Sequence, residues 1–386
     1  MLTLCEAEVA KLLTWERLIP AMEGALAAFS SGRVIQPLRN MMTIEEGKRY
    51  LGVMPAVTES GMGAKLVSFY SGNAGGSDPT HFAVIVLFET DHGRPLAVME
   101  GRLITEMRTA AASAAVTKLL APPDSRKLAL LGSGVQAKAH LEALRHIFAF
   151  DDVRVWSRTP AHARRFAEAH GAKAMDLEDA VRDADVVVTA TNSLEPFLRG
   201  RWLKPGAHVN AVGSPRPTWR ELDDEAMNNL LIVDSREAAL KESGDVILSN
   251  AAVFAEAGEL FAGKKSAPRS ATTIFKSVAI ATEDIVTARL LYEEATRSIR
   301  AARAGGIMLA MFSPLSDFVR RCRPPPFFEC LANPDGRSVA YFSIILRYEF
   351  RMAPRIGVNR RRGQTFADSV AARGRASHDN AKRVSP

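Results

Sequence analysis

Cysteine and long apolar runs are both scarce in this chain of 386 residues. The three cysteines, Cys5, Cys322 and Cys330, are too few and too scattered for a disulfide framework or a zinc site, which agrees with a reducing compartment. No apolar run approaches the roughly 20 residues that span a bilayer. The N-terminus also lacks the basic start and the continuous apolar stretch of a signal peptide. We therefore expect a cytoplasmic protein with no metal site and no membrane partner.

An excess of positive charge is missing from most of the chain, despite a formal net charge of +7. From Arg300 onward there are 16 Lys and Arg residues against 6 Asp and Glu residues, a balance of +10. The first 299 residues therefore carry −3. Because the basic character lies in the tail, it predicts no nucleic-acid partner.

A βαβ unit over residues 127–158 is the strongest local pattern. The apolar run 128–131 has the length of a strand, a helical pattern follows, and 153–156 forms a second strand. In the Gly-x-Gly-x-x-Ala turn between strand and helix, Gly132 permits the tight bend and Gly134 lets the backbone approach a pyrophosphate. We predict a dinucleotide site, the alternative being an ordinary βα turn of another α/β protein. The predicted phosphate turn contains Gly132, Ser133, Gly134, Val135 and Gln136.

The end of the second strand lacks the carboxylate that usually binds the ribose 2′-hydroxyl of NAD. Ser157, Arg158 and Thr159 stand there instead. Two hydroxyls and a guanidinium suit a 2′-phosphate, to which arginine can donate charge-assisted hydrogen bonds. We therefore expect NADPH as the cofactor, with NADH binding more weakly. The alternative is that Arg158 is only a solvated loop residue.

The order of helices and strands predicts two kinds of architecture. The first part indicates an α+β block of mostly antiparallel character, and alternating helices and strands then indicate a parallel, doubly wound sheet. From 297 to 386 the pattern collapses, and we expect a basic, disordered tail. The predicted helices are 6–29 (broken near Pro20), 104–120, 161–169, 177–182, 251–260 and 279–294; the predicted strands are 34–37, 50–55, 64–70, 81–89, 95–100, 128–131, 153–156, 185–191, 207–212 and 230–233.

Three segments resemble the ornithine cyclodeaminase/mu-crystallin family. They are WLKPGAHVNAVG at 202–213, RPTWRELDD at 216–224 and SREAALKESGD at 235–245. The resemblance covers about residues 5–296, and the length of these runs makes it specific. It does not extend into the tail.

The resemblance implies an α/β fold in which a Rossmann-type domain, 116–277, is inserted into a discontinuous domain for substrate binding and dimerisation. That second domain would consist of 1–115 and a returning helix at 278–296. The implied activity is NADPH-dependent reduction of cyclic ketimines (piperideine-2-carboxylate, pyrroline-2-carboxylate and sulfur analogues) by a homodimer. Thyroid hormone (triiodothyronine) would bind in the same pocket. Three alternatives stay open: a hormone-binding protein with NADPH as a structural co-ligand, an abundance protein of the lens type, and an amino-acid dehydrogenase.

Four residues match the family's substrate site. Arg39 matches the arginine that binds the substrate carboxylate, and Lys65 matches the active-site lysine. Arg108 matches the arginine at the substrate and cofactor, and Glu242 matches a glutamate of the ligand pocket. The resemblance implies that the two arginines hold the carboxylate, that Lys65 sets protonation near the imine, and that Glu242 stabilises the iminium.

Five further residues are expected beside the cofactor. Thr80 and His81 match family residues near it, although His81 could instead be a histidine with a purely structural role in its strand. Val212 and Ser277 match positions near the nicotinamide. Thr191 lies at the carboxyl end of a predicted strand, where ligands bind in open α/β sheets.

Two positions depart from the family pattern. Pro215 stands where the cyclodeaminase branch has a catalytic aspartate, and proline can neither take a proton nor activate water. We therefore do not expect ornithine cyclodeamination. Ala279 stands where the family usually has glycine, which predicts crowding on the nicotinamide side of the site.

Overall fold

The computed structural model describes residues 1–304. Its last helix, Ala281–Ala304, is longer than the predicted helix 279–294 and passes through the predicted start of the tail at 297. The rest of the predicted tail lies outside the described residues.

The first part of the chain forms a six-stranded sheet with the spatial order β1 (Leu2–Leu4), β6 (Pro95–Glu100), β5 (His81–Phe88), β4 (Gly61–Tyr70), β3 (Arg49–Thr58) and β2 (Asn40–Glu45). Neighbouring strands are antiparallel except for the parallel pair β1 and β6. Side chains alternate across the sheet, so Tyr50 and Met54 are buried while Leu51 faces outward. The α-helices of this part are α1 (Glu6–Leu12), α2 (Trp15–Ser30) and α3 (Arg102–Leu120).

The second part forms an eight-stranded sheet in which every neighbouring pair is parallel, with the order β13-β12-β14-β11-β10-β7-β8-β9. From β7 the chain first moves to β8 and β9 and then returns to β10 on the other side. The crevice at this reversal is where open α/β sheets bind ligands. The elements are β7 (Lys127–Leu131), α4 (Val135–Arg145), β8 (Asp152–Trp156), α5 (Pro160–His170), β9 (Lys173–Ala174), α6 (Leu177–Val181), β10 (Val186–Thr189), β11 (His208–Ala211), α7 (Asp224–Met227), β12 (Leu230–Val233), α8 (Arg236–Glu242), α9 (Gly244–Ser249), β13 (Val253–Glu256), α10 (Ala257–Phe261), β14 (Thr273–Lys276) and α11 (Ala281–Ala304). The predicted α/β class, with a doubly wound parallel sheet, is confirmed.

Two helices connect the sheets. The alanine-rich helix α3 packs against both α2 and α4, and its Ala110, Ala111 and Ala114 are fully buried. Small side chains allow such close approach, as the sequence predicted. Helix α11 packs on β3, β4 and β5 and on the two helices α2 and α3. The start of α11 therefore lies in the core, where its side chains reach the space between the sheets. Within residues 1–304, no helix combines the length and the apolar character that crossing a bilayer requires.

The predicted helix 6–29 breaks at a different place. Its interruption lies at Leu13 and Thr14, and Pro20 is inside the continuous helix α2. Thr14 has the extended backbone of an N-terminal cap, and Pro20 forfeits only one hydrogen bond near the start of α2. The predicted strand 34–37 is also wrong, because only Ile35 pairs, in an isolated bridge to Val57.

Five strands were misread or missed, and two of them, β1 and β9, have only three and two residues. The predicted helix 251–260 is wrong in its first half, which is strand β13, and only its second half belongs to helix α10. Strand β14 was not predicted, because a buried lysine, Lys276, ends its four-residue run. Edge strand β2 was missed because it is mostly exposed and shows no alternating burial.

We predict that the contact between α2 and α10 tolerates no added side chain. A Cβ at Gly258 would lie 1.9 Å from the carbonyl oxygen of Leu26, so Gly258→Ala should destabilise the protein by about 2 kcal/mol or more. At Gly24, within α2, an added Cβ meets nothing within 4 Å, and Gly24→Ala should stabilise by about 0.5–1 kcal/mol. Thermal and urea unfolding measure both changes. Equal stabilities of the two variants would contradict the packing described here.

Candidate active site

A cavity of about 420 Å³ lies between the two sheets. It is lined from one side by strands of the first sheet and from the other by the loops that follow strands of the second. Its walls are mainly apolar, with Met54, Phe69 and Trp219 among them. The sequence-predicted residues that line it are Arg39, Lys65, His81, Arg108, Gln136, Val212, Glu242 and Ser277.

A buried ion cluster forms one wall of the cavity. Asp284, in the first turn of α11, forms an ion pair with Lys65 through Oδ2, 2.7 Å from Nζ, and accepts a hydrogen bond from Arg108 Nε at 2.9 Å through Oδ1. Arg108 Nη1 also donates to Glu283 Oε2 at 2.7 Å. All four side chains are at most 2% exposed. Three elements, β4, α3 and α11, are thereby joined through buried charges.

Burial changes the protonation of this cluster. Loss of hydration, followed by the neighbouring charge of Arg108, lowers the pKa of Lys65 to about 8, although Asp284 opposes the shift. Burial raises the pKa of Glu283 to about 8 against the attraction of Arg108. Burial also acts against the charge of Arg108, but Asp284 and Glu283 outweigh it and the pKa of Arg108 is raised. Lys65 can therefore gain and lose a proton near neutral pH.

Arg39 faces the cavity from the loop before β2, but it already has partners. Its Nη2 donates to the carbonyl oxygens of Val278 and, at 2.8 Å, of Ala279, and it pairs with Glu242 Oε2 at 2.8 Å. Burial raises the pKa of Glu242, while Arg39 opposes this. A carboxylate of this protein thus occupies the position predicted for the carboxylate of a substrate.

The turn from Ser277 to Ala279 is held from its other side by Asp234. Its Oδ2 accepts from Ser277 Oγ, from the N–H of Val278 and from the N–H of Ala279, at 2.7–2.8 Å. Ala279 has φ +69°, a left-handed conformation that costs a non-glycine residue about 1–2 kcal/mol. The glycine expected here from the family pattern would adopt this conformation without strain. Ala279 is among the residues that line the cavity.

A groove of about 470 Å³ continues from the cavity along the reversal of the second sheet, and Asn192 lines both. Gly132 has φ +131°, and a Cβ there would lie 2.6 Å from the carbonyl oxygen of Ala190. At Gly134 the space is open, and the first hydrogen bond of α4 is made by Lys138, which leaves the N–H groups before it free for a ligand. The sequence-predicted residues that line the groove are Gly132, Ser133, Gly134, Ser157, Arg158, Thr159 and Thr191.

This groove fits a dinucleotide. A pyrophosphate would lie over Gly134 at the N-terminus of α4, and the exposed Arg158 and Thr159 are free to meet a ribose phosphate. Two predicted cofactor residues line neither the groove nor the cavity. Thr80 Oγ1 lies 3.1 Å from His81 Nδ1, and Val135 is 57% exposed at the start of α4.

His81 lies at the rim of the cavity. Its side chain is exposed to solvent on one side, yet the surrounding protein, and then the charges of Lys65 and Arg216, lower its pKa to about 4. The ring is therefore neutral near pH 7. Its partner is the neighbouring hydroxyl of Thr80, and its ring also contacts that of Phe69 at a tilt of 51°, with 4.8 Å between the ring centroids.

Arg216 is a cavity residue that the sequence analysis missed. Its guanidinium lies 3.9 Å from the ring centre of Tyr50, and burial lowers its pKa. It also belongs to one of the segments that resemble the family. The signal that could have found it is its place in the loop after β11, at the carboxyl edge of the parallel sheet.

Known proteins share this sequence and fold. The ornithine cyclodeaminase/mu-crystallin family matches residues 1–298. The ketimine reductase mu-crystallin of Mus musculus is 50% identical over 285 residues, which cover 72% of this chain and 91% of that protein. The structure of Thermococcus litoralis Δ1-pyrroline-2-carboxylate reductase in complex with NADH and L-proline has a TM-score of 0.73 and 34% identity, over 77% of this chain and 98% of that one. An archaeal alanine dehydrogenase dimer with bound NAD has a TM-score of 0.72 and 31% identity, over 78% and 97% of the two chains.

We predict that Asp284→Asn destabilises the protein by about 3 kcal/mol or more, because it leaves Lys65 and Arg108 buried with one negative charge fewer. Glu293→Gln removes a carboxylate from the same helix, but from an exposed pair with Arg289. That control should change the unfolding free energy by about 0.5 kcal/mol at most. Urea denaturation measures the unfolding free energy of both variants. Similar values for both variants would show that the cluster does not stabilise the fold.

Proposed function

The chain belongs to the ornithine cyclodeaminase/mu-crystallin family, and on that premise we propose that it is an NADPH-dependent reductase of cyclic ketimines. Piperideine-2-carboxylate, pyrroline-2-carboxylate and their sulfur analogues are the proposed substrates, and cyclic imino acids are the products. The observation that carries the proposal is Lys65, a buried lysine with a pKa of about 8 in a cavity that opens into a dinucleotide-sized groove. The relatives named above reduce C=N bonds or act on amino acids.

The substrate carboxylate is assigned to Arg39, with the charge of Arg108 behind it. To bind it, Arg39 exchanges its pairing with Glu242 for the ligand. The displaced carboxylate of Glu242 is then free to face a positively charged iminium. The guanidinium of Arg39 thus pairs with Glu242 in the free protein and with the substrate carboxylate in the complex. The buried positive charge has a negative partner in both states.

Lys65 is assigned the protonation of the imine. The nicotinamide cofactor, when bound, supplies the hydride that adds to the carbon of the C=N bond. For this the nitrogen must carry a proton, which remains on it as the amine of the product. Lys65, charged below pH 8 and held by Asp284, can donate this proton and be recharged near neutral pH.

The cofactor is assigned to the groove, with NADPH preferred over NADH. Ser157, Arg158 and Thr159 line its end, and no carboxylate is among the groove's lining residues within 1–304. Val212 and Ser277, on the cavity wall, are assigned to the nicotinamide end. His81 would contribute from the first sheet and Gln136 from the start of α4, whereas Thr80 and Val135, which line neither space, stay predictions.

A homodimer is part of the proposal. The outward face of the first sheet exposes six large apolar side chains, and clusters of exposed apolar residues mark interaction sites. A second copy of the chain would cover this face. The proposed domain bounds (1–115 with 278–296, and 116–277) and the cytosolic location stay predictions. The exposed apolar residues are Met42, Ile44, Leu51, Leu66, Phe82 and Val84.

Binding of thyroid hormone is a second candidate function. Its support is the aromatic and apolar wall around Phe69 and Trp219, which exceeds what a single small ring requires. If both ligands share Arg39, triiodothyronine should inhibit ketimine reduction competitively. Amino-acid dehydrogenation is a third candidate, and oxidation of alanine with NAD would reveal it. Ornithine cyclodeamination is not proposed, because Pro215 lines the cavity where that reaction needs an aspartate.

The deciding experiment follows NADPH absorbance after addition of piperideine-2-carboxylate, with NADH in parallel. Rapid oxidation of NADPH and weaker oxidation of NADH are expected. Tight binding of NADPH without turnover would reject the reductase and favour the hormone-binding role.

We predict that Lys65→Met lowers kcat by about a hundredfold or more and changes KM far less, since it removes a proton donor. In the wild type, kcat/KM should fall as pH rises through about 8, where Lys65 loses its proton. This limb should be absent from the residual activity of the variant. The control is Lys118→Met, at an exposed lysine on α3. Unchanged kcat in Lys65→Met would remove Lys65 from the mechanism.

We predict that Arg158→Gln raises the KM for NADPH by about ten- to a hundredfold, the loss expected for one charged hydrogen-bonding group. The KM for NADH should stay within about twofold, because NADH has no 2′-phosphate. Arg165→Gln, an exposed arginine of α5 that does not line the groove, is the control. Steady-state kinetics with both cofactors measure the ratio. Equal effects on NADPH and NADH would reject the assignment of Arg158.

A further inference from the structure

A second buried charge cluster lies beneath the carboxyl ends of the parallel strands. Glu221, Asp245 and Lys276 are all 0% exposed, and none of them lines the cavity or the groove. Lys276 Nζ pairs with Asp245 Oδ2 at 2.9 Å. The chemistry proposed above uses none of these groups, and burying three charges is costly unless they are fully paired.

Glu221 accepts four hydrogen bonds, all from the ends of β10 and β11. Its Oε1 accepts from the N–H and the hydroxyl of Thr191, at 2.7 and 2.6 Å. Its Oε2 accepts from the hydroxyl of Thr189 at 2.6 Å and from the N–H of Gly213 at 3.0 Å. The Thr191 hydroxyl also accepts from the N–H of Ser193, so its own proton points to Glu221. Both strand ends therefore depend on one carboxylate.

The other two charges fix Glu221 and Gly213 in place. Asp245 Oδ1 accepts from the backbone N–H groups of Glu221 and Leu222, at 2.8 and 3.0 Å. Lys276 Nζ donates to the carbonyl oxygen of Gly213 at 2.6 Å. The N–H of Gly213 is thus bound by the carboxylate of Glu221, and its carbonyl oxygen by the ammonium group of Lys276.

The segments held in this way meet where the groove enters the cavity. Asn192 follows Thr191 and lines both spaces, and Val212 precedes Gly213 and lines the cavity. A Cβ on Gly213 would lie 2.3 Å from the carbonyl oxygen of Thr191, so the two strand ends are in direct contact. A shift of Glu221 would therefore move both of these segments at the junction of the groove and the cavity.

We propose that Glu221 is a positioning residue for the reduction: it fixes the Thr191 and Gly213 segments that support the nicotinamide end of the cofactor. The inference rests on the proposed function for the identity of the cofactor. Glu221 acts through these backbone segments and contacts neither substrate nor cofactor. Its carboxylate sets the distance and angle between the reacting carbons, on which the rate of hydride transfer depends steeply.

Glu221→Gln tests the role, because an amide keeps the shape but replaces one acceptor oxygen with a donor. We expect kcat for piperideine-2-carboxylate to fall about tenfold or more while the KM for the ketimine stays within about twofold. The deuterium isotope effect on kcat, measured with NADPH deuterated at C4, should rise because hydride transfer becomes slower than product release. Thr189→Val, which removes one donor to Glu221, should change the same quantities in the same direction by less.

Asp185→Asn is the matched control. Asp185 precedes the opposite end of β10 and accepts from the N–H groups of Arg126 and Lys127, far along the strand from the cleft. Asp185→Asn should lower the melting temperature of the protein yet leave kcat and the isotope effect unchanged. If Glu221→Gln fails to fold, the kcat and the isotope effect of Thr189→Val test the positioning role instead.

Two outcomes would overturn the positioning role: wild-type kcat and isotope effect in the Glu221 and Thr189 variants, or equal changes in the Asp185 control. A wild-type protein that binds NADPH but reduces no ketimine would instead reject the proposed function. In that case the dissociation constant of NADPH, measured by fluorescence, tests Glu221. It should rise in Glu221→Gln and not in Asp185→Asn, and no difference between them would overturn the inference.

Discussion

The carboxylate of Asp284 is the contact on which the cavity depends. It is the shared partner of Lys65 from a strand and Arg108 from a helix, and it lies in the first turn of α11. Without it, Lys65 would lose this partner and Arg108 would keep only Glu283, in a buried region where an unpaired charge costs several kcal/mol. Asp284 therefore stabilises the packing of the first sheet, α3 and α11 against one another. The same pairing places a lysine of lowered pKa on the cavity wall.

The two buried clusters differ in the protonation and the hydrogen bonding of their charged groups. The one around Asp284 contains groups that exchange protons near neutral pH, since Lys65 and Glu283 both have a pKa of about 8. The one around Glu221 is closed, with its oxygens filled by donors from two strand ends. Between them lies the junction of the groove and the cavity. The first cluster thus contains groups that titrate near neutral pH, whereas the second holds two strand ends in place.

Much of this arrangement could be predicted from the sequence, because local signals were strong. The turn at Gly132, the alternating strands and the alanine-rich helix each follow from short-range rules. What could not be predicted depends on distant partners. Glu283, Asp284 and Glu221 look like ordinary solvated acids until the fold brings lysine, arginine and backbone donors around them. The pairing of Arg39 with Glu242 is equally invisible, since more than 200 positions separate the two residues. Strand β14 was missed because only the fold explains a buried lysine at its end.

The left-handed conformation of Ala279 shows how strongly the surrounding contacts restrain this turn. Alanine and glycine codons differ at a single base, so the unstrained residue is one mutation away. The turn that carries Ala279 is pinned by Asp234 from below and by Arg39 from above, which is enough to hold a methyl-bearing residue in an unfavourable conformation. The restraints on both sides of the turn, rather than the conformational preference of residue 279, therefore set the shape of this corner of the site.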